Sequence, residues 1–175
     1  MDLVQSLPSL KGAAKENTLL AIGSTPLVKL NKLTRGLDAN IYVKLEFYNP
    51  TGSYKDRMAL AMIEGAERDG LLKKGGTVVE YTGGSTGSSL AFVCAVKGYR
   101  LKIVTSDAFS EEKLNTMKAF GAELTIVPSE GGKITPELLP KMMKIAEEMG
   151  KEPATFRTNQ WLFGTAVCRA DGGIK

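Results

Sequence analysis

The hydrophobic and polar residues of the chain follow two alternating patterns, one typical of buried strands and the other of amphipathic helices. Short apolar runs rich in β-branched residues predict strands, which we place at residues 22–30, 41–45, 77–81, 101–105 and 122–127. Apolar residues spaced three and four apart predict helices, which we place at residues 55–70, 88–97, 110–120 and 136–149. A glycine follows each of the last three helices, as is common where a helix ends.

The order of these elements predicts the fold class. From the loop that contains Lys55 onward, helices alternate with strands, which favours parallel pairing through right-handed crossovers. We therefore predict an α/β fold with a doubly wound, mainly parallel sheet. The residues up to 18 are predicted to form an irregular or partly helical arm, and residues 31–40 a polar connection.

The connection between the second strand and the first long helix contains an unusually placed lysine. Pro50 and Gly52 cannot continue either element, so they predict a sharp turn, and Ser53 is the predicted N-cap. Lys55 then falls in the first helical turn, where the positive helix end favours a neutral, nucleophilic amine over a cation. Such a lysine suits Schiff-base chemistry with a carbonyl compound. The alternative is an exposed lysine paired with Asp56 or another acid, and placement alone favours that alternative.

A second segment of chemical interest follows the predicted strand at 77–81. It consists of Thr82, Gly83, Gly84, Ser85, Thr86 and Gly87. In parallel sheets, ligands bind beyond the carboxyl ends of strands, and glycines there let backbone amides approach an anion where a helix starts. The alternative is a tight turn with ordinary capping, and the residues alone leave the two interpretations open. A Walker P-loop is disfavoured because no Gly-Lys-Ser/Thr follows at the required spacing.

Composition narrows the classes of function. The 175 residues are 43% hydrophobic and 24% charged, which is typical of a globular domain, and the net charge of +4 is scattered without a basic block. We therefore expect no nucleic-acid partner, and we expect no membrane span because no apolar run approaches about 20 residues. The absence of histidine excludes Ser-His-Asp triads, Cys-His dyads and histidine-bearing metal sites, so no metal is expected.

The cysteines and the N-terminus indicate in which cellular compartment the protein is expected. Cys94 lies in a helical pattern and is predicted to be a small buried hydrophobe, whereas Cys168 lies in a stretch without a clear pattern. Two cysteines without a disulfide framework fit a reducing cytosol, although a disulfide is not excluded. The first residues show no basic region followed by an apolar core, so no secretory signal is expected. These observations predict a cytoplasmic protein.

The lysine segment, residues 46–57, is similar to the cofactor-lysine signature of the cysteine synthase and cystathionine β-synthase family. The members are pyridoxal-phosphate enzymes of fold type II, and the resemblance implies that Lys55 binds pyridoxal 5'-phosphate as an imine. The run 23–27, Gly-Ser-Thr-Pro-Leu, also resembles a form that members have near their start. The pair Asn49-Pro50 favours β-replacement, because related serine and threonine dehydratases have a different, glutamine-containing variant.

The glycine loop resembles the family's Thr-Ser-Gly-Asn-Thr-Gly loop, which binds the substrate carboxylate. The resemblance implies that Thr82, Gly83, Gly84, Ser85 and Thr86 bind substrate, together with Gln160, which matches a residue that contacts the same carboxylate. Two positions depart from the family pattern. Gly83 replaces a serine and removes a hydroxyl donor, and Ser85 replaces an asparagine that binds the cofactor's 3′ oxygen, so Ser85 is also a predicted cofactor contact.

The resemblance extends roughly from Gly23 to Gln160 and covers about half of the usual enzyme. It predicts an arm and strand at 1–40, a small α/β domain at 41–150, and the start of a larger domain at 151–175. Residues from 162 onward do not continue the family pattern, so a truncation or a shift of reading frame is expected near Gln160. The family's phosphate cup, rich in glycine and threonine, has no counterpart in the sequence.

These observations predict β-replacement at an amino acid, in which O-acetylserine or a similar donor reacts with sulfide or a thiol. One alternative is a truncated, non-catalytic domain that acts only in binding or oligomerisation. A second alternative is β-elimination, as in serine and threonine dehydratases. Because half of the usual enzyme would normally cover apolar faces, we also expect an exposed apolar surface and self-association as a homodimer.

Overall fold

The computed structural model describes residues 15–160, and its first strands form a separate two-stranded ribbon. A single turn of 3-10 helix at Thr18–Ala21 precedes β1 (Leu27–Lys29), which pairs antiparallel with β2 (Tyr42–Lys44). All six strand residues are exposed. The strands predicted at residues 22–30 and 41–45 are both present, but each has only three residues. The predicted N-terminal arm lies largely, and the stretch around Cys168 wholly, outside the described residues.

A four-stranded parallel sheet forms the centre of the fold. Its strands are β3 (Thr77–Tyr81), β4 (Arg100–Ser106), β5 (Glu123–Val127) and β6 (Thr155–Arg157), arranged in the order β5-β4-β3-β6. Every neighbouring pair is parallel, which confirms the predicted pairing. The strand β6 was not predicted. It is short, and it extends the sheet beyond β3 through the pairing of Thr77 with Thr155.

Four helices cover the two faces of this sheet. They are α1 (Lys55–Arg68), α2 (Ser85–Lys97), α3 (Glu111–Ala119) and α4 (Leu138–Met149). Each corresponds to a predicted helix, although α2 begins directly after Gly84, three residues earlier than predicted. Among the described residues, no helix has both the length and the apolar character that crossing a membrane requires.

Two apolar clusters show which helix lies on which face. The larger cluster joins the sheet to α1, α2 and α3 and includes Ile63, Val78, Leu90, Ile103 and Met117. The smaller cluster joins the other face to α4 and includes Val79, Val104, Val127, Met142 and Ala146. Cys94 is buried in the larger cluster as predicted, and burial raises the pKa of its thiol to about 12. Because both faces are covered, the doubly wound α/β prediction is confirmed.

The strand order reverses at β3. The chain passes from β3 to β4 and β5 in one direction, and α4 then crosses the opposite face to place β6 on the other side of β3. The loops that follow β3 and β6 therefore leave neighbouring strands at the same edge of the sheet. Such a reversal is the usual position of a ligand site in an open α/β sheet.

Candidate functional site

Lys55 is the first residue of α1, as the sequence predicts. The N-cap position is occupied by Tyr54 and not by Ser53, which corrects the prediction by one residue. The Ser53 hydroxyl still accepts a hydrogen bond from the Lys55 amide at 3.1 Å. The Lys55 side chain is half-buried, with Nζ 4.7 Å from the centroid of the Tyr54 ring. Between residues 15 and 160, no acidic side chain forms a salt bridge with Lys55.

Asp56, the acid next to Lys55, points into the protein and does not pair with the lysine. It is fully buried, and its carboxylate accepts hydrogen bonds from the Thr51 amide at 2.8 Å and from the Thr51 hydroxyl. The Ser89 hydroxyl of α2 donates to the same carboxylate at 2.6 Å. Asp56 therefore ties the start of α1 to the first turns of α2. Ser85 lies one turn before Ser89 on the same face of α2, so it is on the side of α2 that meets α1.

Arg57 and Glu46 anchor the lysine segment to the chain that precedes β1. The Glu46 carboxylate accepts from Arg57 Nε at 2.8 Å, from the Thr25 hydroxyl at 2.7 Å and from Asn49 Nδ2 at 2.9 Å. Asn49 Oδ1 in turn accepts from the Gly23 amide at 2.8 Å. The hydrogen bond from Arg57 lowers the pKa of Glu46 to about 2, and Glu46 raises the pKa of Arg57. The segment's other charged residues thus have hydrogen-bonded partners within the protein, whereas Lys55 has no acidic partner among residues 15–160.

The glycine loop leaves β3 and enters α2 directly. Thr82 and Thr86 are buried, whereas Gly83, Gly84 and Ser85 are partly accessible. Gly84 occupies the N-cap position and supplies no side-chain hydrogen bond to the helix. The amides of the first turn therefore face outward from a positive helix end without a capping side chain, which is the arrangement that accommodates a bound anion.

Two residues that the resemblance assigns to substrate binding are joined in the structure. The Thr86 hydroxyl donates to Gln160 Oε1 at 2.8 Å. Gln160 follows β6 and Thr86 lies in α2, so this hydrogen bond closes the gap between the loops that leave β3 and β6. Gln160 and Thr86 were predicted to share a site, and their contact lies where the strand order reverses.

Phe109 is a site residue that sequence reasoning missed. A Cβ atom built on Gly83 would lie 2.2 Å from Phe109 Cδ1 and Cε1, so the aromatic ring occupies the space of any side chain at position 83. Phe109 follows β4 and is half-buried. The glycine that replaces the family's serine is therefore matched to a ring 26 positions further along the chain, and no local pattern could have indicated that contact.

Comparisons with known proteins match most of the chain to one family of enzymes. The family model for pyridoxal-phosphate dependent enzymes matches residues 18–170, which extends past Gln160, where the sequence resemblance was expected to end. A cysteine synthase of Staphylococcus aureus is 45% identical over 146 residues, which are 83% of this chain and 45% of that protein. The chain thus spans about half the length of the curated relatives it matches.

Solved structures also match most of this chain and about half of their own. A hydrogen sulfide-producing enzyme from Fusobacterium nucleatum matches 87% of this chain and 48% of its own, with a TM-score of 0.74 and 40% identity. A cysteine synthase from Entamoeba histolytica matches 93% of this chain and 48% of its own, with a TM-score of 0.77 and 37% identity. These neighbours are fold type II enzymes, and the chain corresponds to their N-terminal part.

Proposed function

The chain belongs to the family of pyridoxal-phosphate dependent enzymes, and from that premise we propose that its site serves cysteine synthase-like β-replacement at an amino acid. O-acetylserine or a similar donor would exchange its β-substituent for sulfide or a thiol. The observation that carries this proposal is the convergence of three elements. Lys55 starts α1 beside α2, α2 starts at the glycine loop, and Gln160 is bonded to Thr86.

The residues present fit the reactive end of pyridoxal 5'-phosphate. An imine requires a primary amine that is not committed to an ion pair, and Lys55 meets that condition among residues 15–160. The lysine lies at the positive end of one helix and beside that of another, and its neighbouring acid, Asp56, is turned away into the protein. Ser85 would contact the cofactor from the first turn of α2. When bound, pyridoxal phosphate supplies an electron sink for the pair left at the α-carbon of the substrate.

In this proposal, the chain's own residues bind the substrate and move one proton. The amides of Gly83 and Ser85 and the hydroxyl of Thr82 would bind the α-carboxylate. Thr86 would act by holding Gln160, and the Gly84 amide would support the Thr82 hydroxyl, whose oxygen accepts from it at 3.4 Å. The Nε2 donors of Gln160 would add a further contact, because Gln160 Oε1 already accepts from Thr86. Lys55 Nζ would take the proton from the α-carbon and return it after the new bond to the β-carbon has formed.

A non-catalytic domain is the second candidate function, and a specific observation favours it. Within residues 15–160, the chain offers no glycine- and threonine-rich cup for the cofactor phosphate, and the ribbon exposes large apolar residues such as Leu27 and Tyr42. In this second candidate, the chain acts by binding or oligomerisation.

Three further expectations belong to the proposal whichever candidate holds. The protein is expected to form a homodimer, to lie in the cytoplasm, and to divide into the parts 1–40, 41–150 and 151–175.

Reduction of the cofactor adduct tests the assignment of Lys55. The chain is mixed with pyridoxal phosphate, treated with borohydride and mapped by mass spectrometry, beside Lys55→Ala and Lys73→Ala variants. Lys73 is an exposed lysine in a turn, so it is the matched control. We expect labelling at Lys55 in the wild-type chain and in Lys73→Ala only. Labelling spread over several surface lysines would contradict the assignment.

An activity assay separates the candidate reactions. The purified chain is supplied with pyridoxal phosphate, O-acetylserine and sulfide, and cysteine and keto acid are both measured. Cysteine above the Lys55→Ala background supports β-replacement, whereas keto acid without cysteine supports β-elimination. Equal background in both proteins supports the non-catalytic domain.

A further inference from the structure

Glu80 is a buried acid in the middle of the sheet. It lies on the central strand β3 and is 0% exposed. Its Oε1 accepts from the Tyr81 amide at 2.9 Å, and its Oε2 accepts from the Thr158 hydroxyl at 2.6 Å and from the Gln160 amide at 3.0 Å. A buried carboxylate is costly unless its oxygens are fully bonded, so three donors around one side chain indicate a specific role.

The carboxylate continues the pairing of β3 and β6 beyond the end of the ladder. Within residues 15–160, the last backbone bond between these segments runs from the Thr158 amide to the Val79 carbonyl at 3.1 Å. Asn159 then adopts a left-handed conformation with φ +48°, which turns the chain away from a regular strand. Two residues after Thr158, the Gln160 amide donates to the Glu80 side chain, which stands in the place of a backbone carbonyl.

We propose that Glu80 is a positioning residue that fixes Gln160 against Thr86 at the mouth of the site. Glu80 holds the Gln160 backbone, Thr86 holds its side-chain oxygen at 2.8 Å, and the Nε2 donors are thereby directed to a ligand carboxylate. The inference rests on the proposed function, in which Gln160 binds the substrate carboxylate. Glu80 itself touches no substrate in this arrangement.

The chemistry of the site requires a carboxylate and not an amide. Burial raises the pKa of Glu80, while the hydrogen bonds from Thr158 and the two amides act in the opposite direction. A glutamine has only one oxygen, so its NH₂ group would face either the Tyr81 amide or the donors of Thr158 and Gln160. Glu80→Gln would therefore keep the bond to Gln160 in one of its two orientations, whereas Glu80→Leu removes both acceptor oxygens and leaves the Gln160 amide without this partner.

Amide hydrogen exchange in the full, ligand-free chain tests the contact directly. We expect Glu80→Leu to accelerate exchange of the Gln160 amide by about tenfold, as for the loss of a hydrogen bond to a charged group. Glu67→Leu is the matched control, because Glu67 also accepts side-chain hydrogen bonds, from Lys97 and Tyr99, at the end of α1 opposite to Lys55. Equal exchange of Gln160 in the wild-type chain and Glu80→Leu would overturn the proposal.

A double-mutant cycle tests whether Glu80 acts through Gln160. The affinity of the chain for L-serine, in the presence of pyridoxal phosphate, is measured for Glu80→Leu, Gln160→Ala and the double variant. We expect about a tenfold loss in each, with no further loss in the double variant, because both changes remove the same contact. Losses that multiply would show a merely structural role and overturn the proposal.

A measurement on the wild-type chain covers the case in which Glu80→Leu does not fold. The amide proton shifts of Gln160 and Tyr81 should titrate together, since both amides donate to the Glu80 carboxylate, on which the Arg157 charge also acts. Separate titrations would overturn the proposal. A wild-type chain that fails to bind L-serine would contradict the proposed function, and the exchange and titration results would then decide the role of Glu80.

Discussion

The three consecutive charged residues Lys55, Asp56 and Arg57 have different surroundings, and the difference bears on the proposed role of Lys55. Asp56 is bonded to Thr51 and Ser89, and Arg57 is bonded to Glu46. These bonds fix the backbone on both sides of the loop and leave the amine of Lys55 without an acidic partner among the described residues. An amine without an acidic partner is what the proposed imine with the cofactor requires.

The Phe109 ring leaves no room for a side chain at position 83. Gly83→Ser restores the hydroxyl that the family has, but its Cβ would overlap the Phe109 ring. We expect Gly83→Ser to lower the free energy of unfolding by about 1–3 kcal/mol, which is typical of overpacking. Urea denaturation measures this change.

The Phe109→Ala variant provides the control for that prediction. In a Phe109→Ala background the space beside Gly83 is open, so Gly83→Ser should cost less than in the wild-type chain. Additive losses in the double variant would show that the ring does not restrict position 83.

At the scale of the elements, Asp56 joins the two helices that form the site. Asp56→Asn keeps the shape of the side chain but removes one acceptor for the donors of Thr51 and Ser89. We expect a loss of about 1–3 kcal/mol in the free energy of unfolding, because a buried donor is left unpaired. Asp69→Asn, at the exposed end of α1, should change stability far less. Equal effects in thermal or urea denaturation would contradict this role.

The bond between Glu46 and Arg57 predicts how stability depends on pH. The pKa of Glu46 is lowered from 4.5 to about 2, so the ionised carboxylate stabilises the folded chain. This contribution is fully present above about pH 4.5 and is lost as the pH falls towards about 2. We expect Glu46→Gln to destabilise the chain by about 1 kcal/mol at pH 7 and much less near pH 2.

Urea unfolding at both pH values measures that difference. Glu123→Gln removes a carboxylate from an exposed position on β5 and is the control. Its effect on the unfolding midpoint should be small at pH 7. A Glu46→Gln variant with the same loss at pH 7 and pH 2 would exclude Glu46 as the titrating group.

Most elements of the fold could be predicted because their patterns are local. The strand β3 coincides with the predicted 77–81, and α1 begins at the predicted Lys55, since apolar spacing and turn residues determine both. The strand β6 was missed because it has three residues and its pairing partner is about 78 positions earlier. The antiparallel pairing of β1 with β2 likewise depends on contacts that no short window contains.

The candidate site was predictable in part. Lys55 and Thr86 stood out by their positions in the sequence, Gln160 was found through resemblance, and the structure brings Thr86 and Gln160 into contact. The assignments of Lys55 and Ser85 to the cofactor, and of the glycine loop and Gln160 to the substrate, remain predictions. Glu80 and Phe109 could not be found, because a buried acid in a strand and an aromatic residue in a loop acquire their roles only from distant partners.

At the scale of the whole molecule, exposed apolar residues are concentrated in the first part of the described chain. Large hydrophobic side chains exposed between residues 20 and 54 are Leu20, Leu27, Val28, Leu33, Leu37, Ile41, Tyr42, Val43, Phe47, Tyr48 and Tyr54. We call them the ribbon surface, since most lie on or beside β1 and β2. A two-stranded ribbon exposed in this way gains little stability by itself. An apolar surface of this kind usually marks an interface.

We therefore expect the purified chain to self-associate through the ribbon surface, with a sedimentation coefficient that rises with protein concentration. Leu27→Asp should shift the chain towards monomer, because a carboxylate there would have to be desolvated at the interface. The ribbon itself should tolerate the change, since Leu27 lies opposite Lys44 in the β1–β2 register. Leu71→Asp is the matched control: Leu71 is 56% exposed and Leu27 62%, but Leu71 lies in the turn after α1. A chain that is monomeric at every concentration, or equal behaviour of the two variants, would show that the ribbon surface is not the interface.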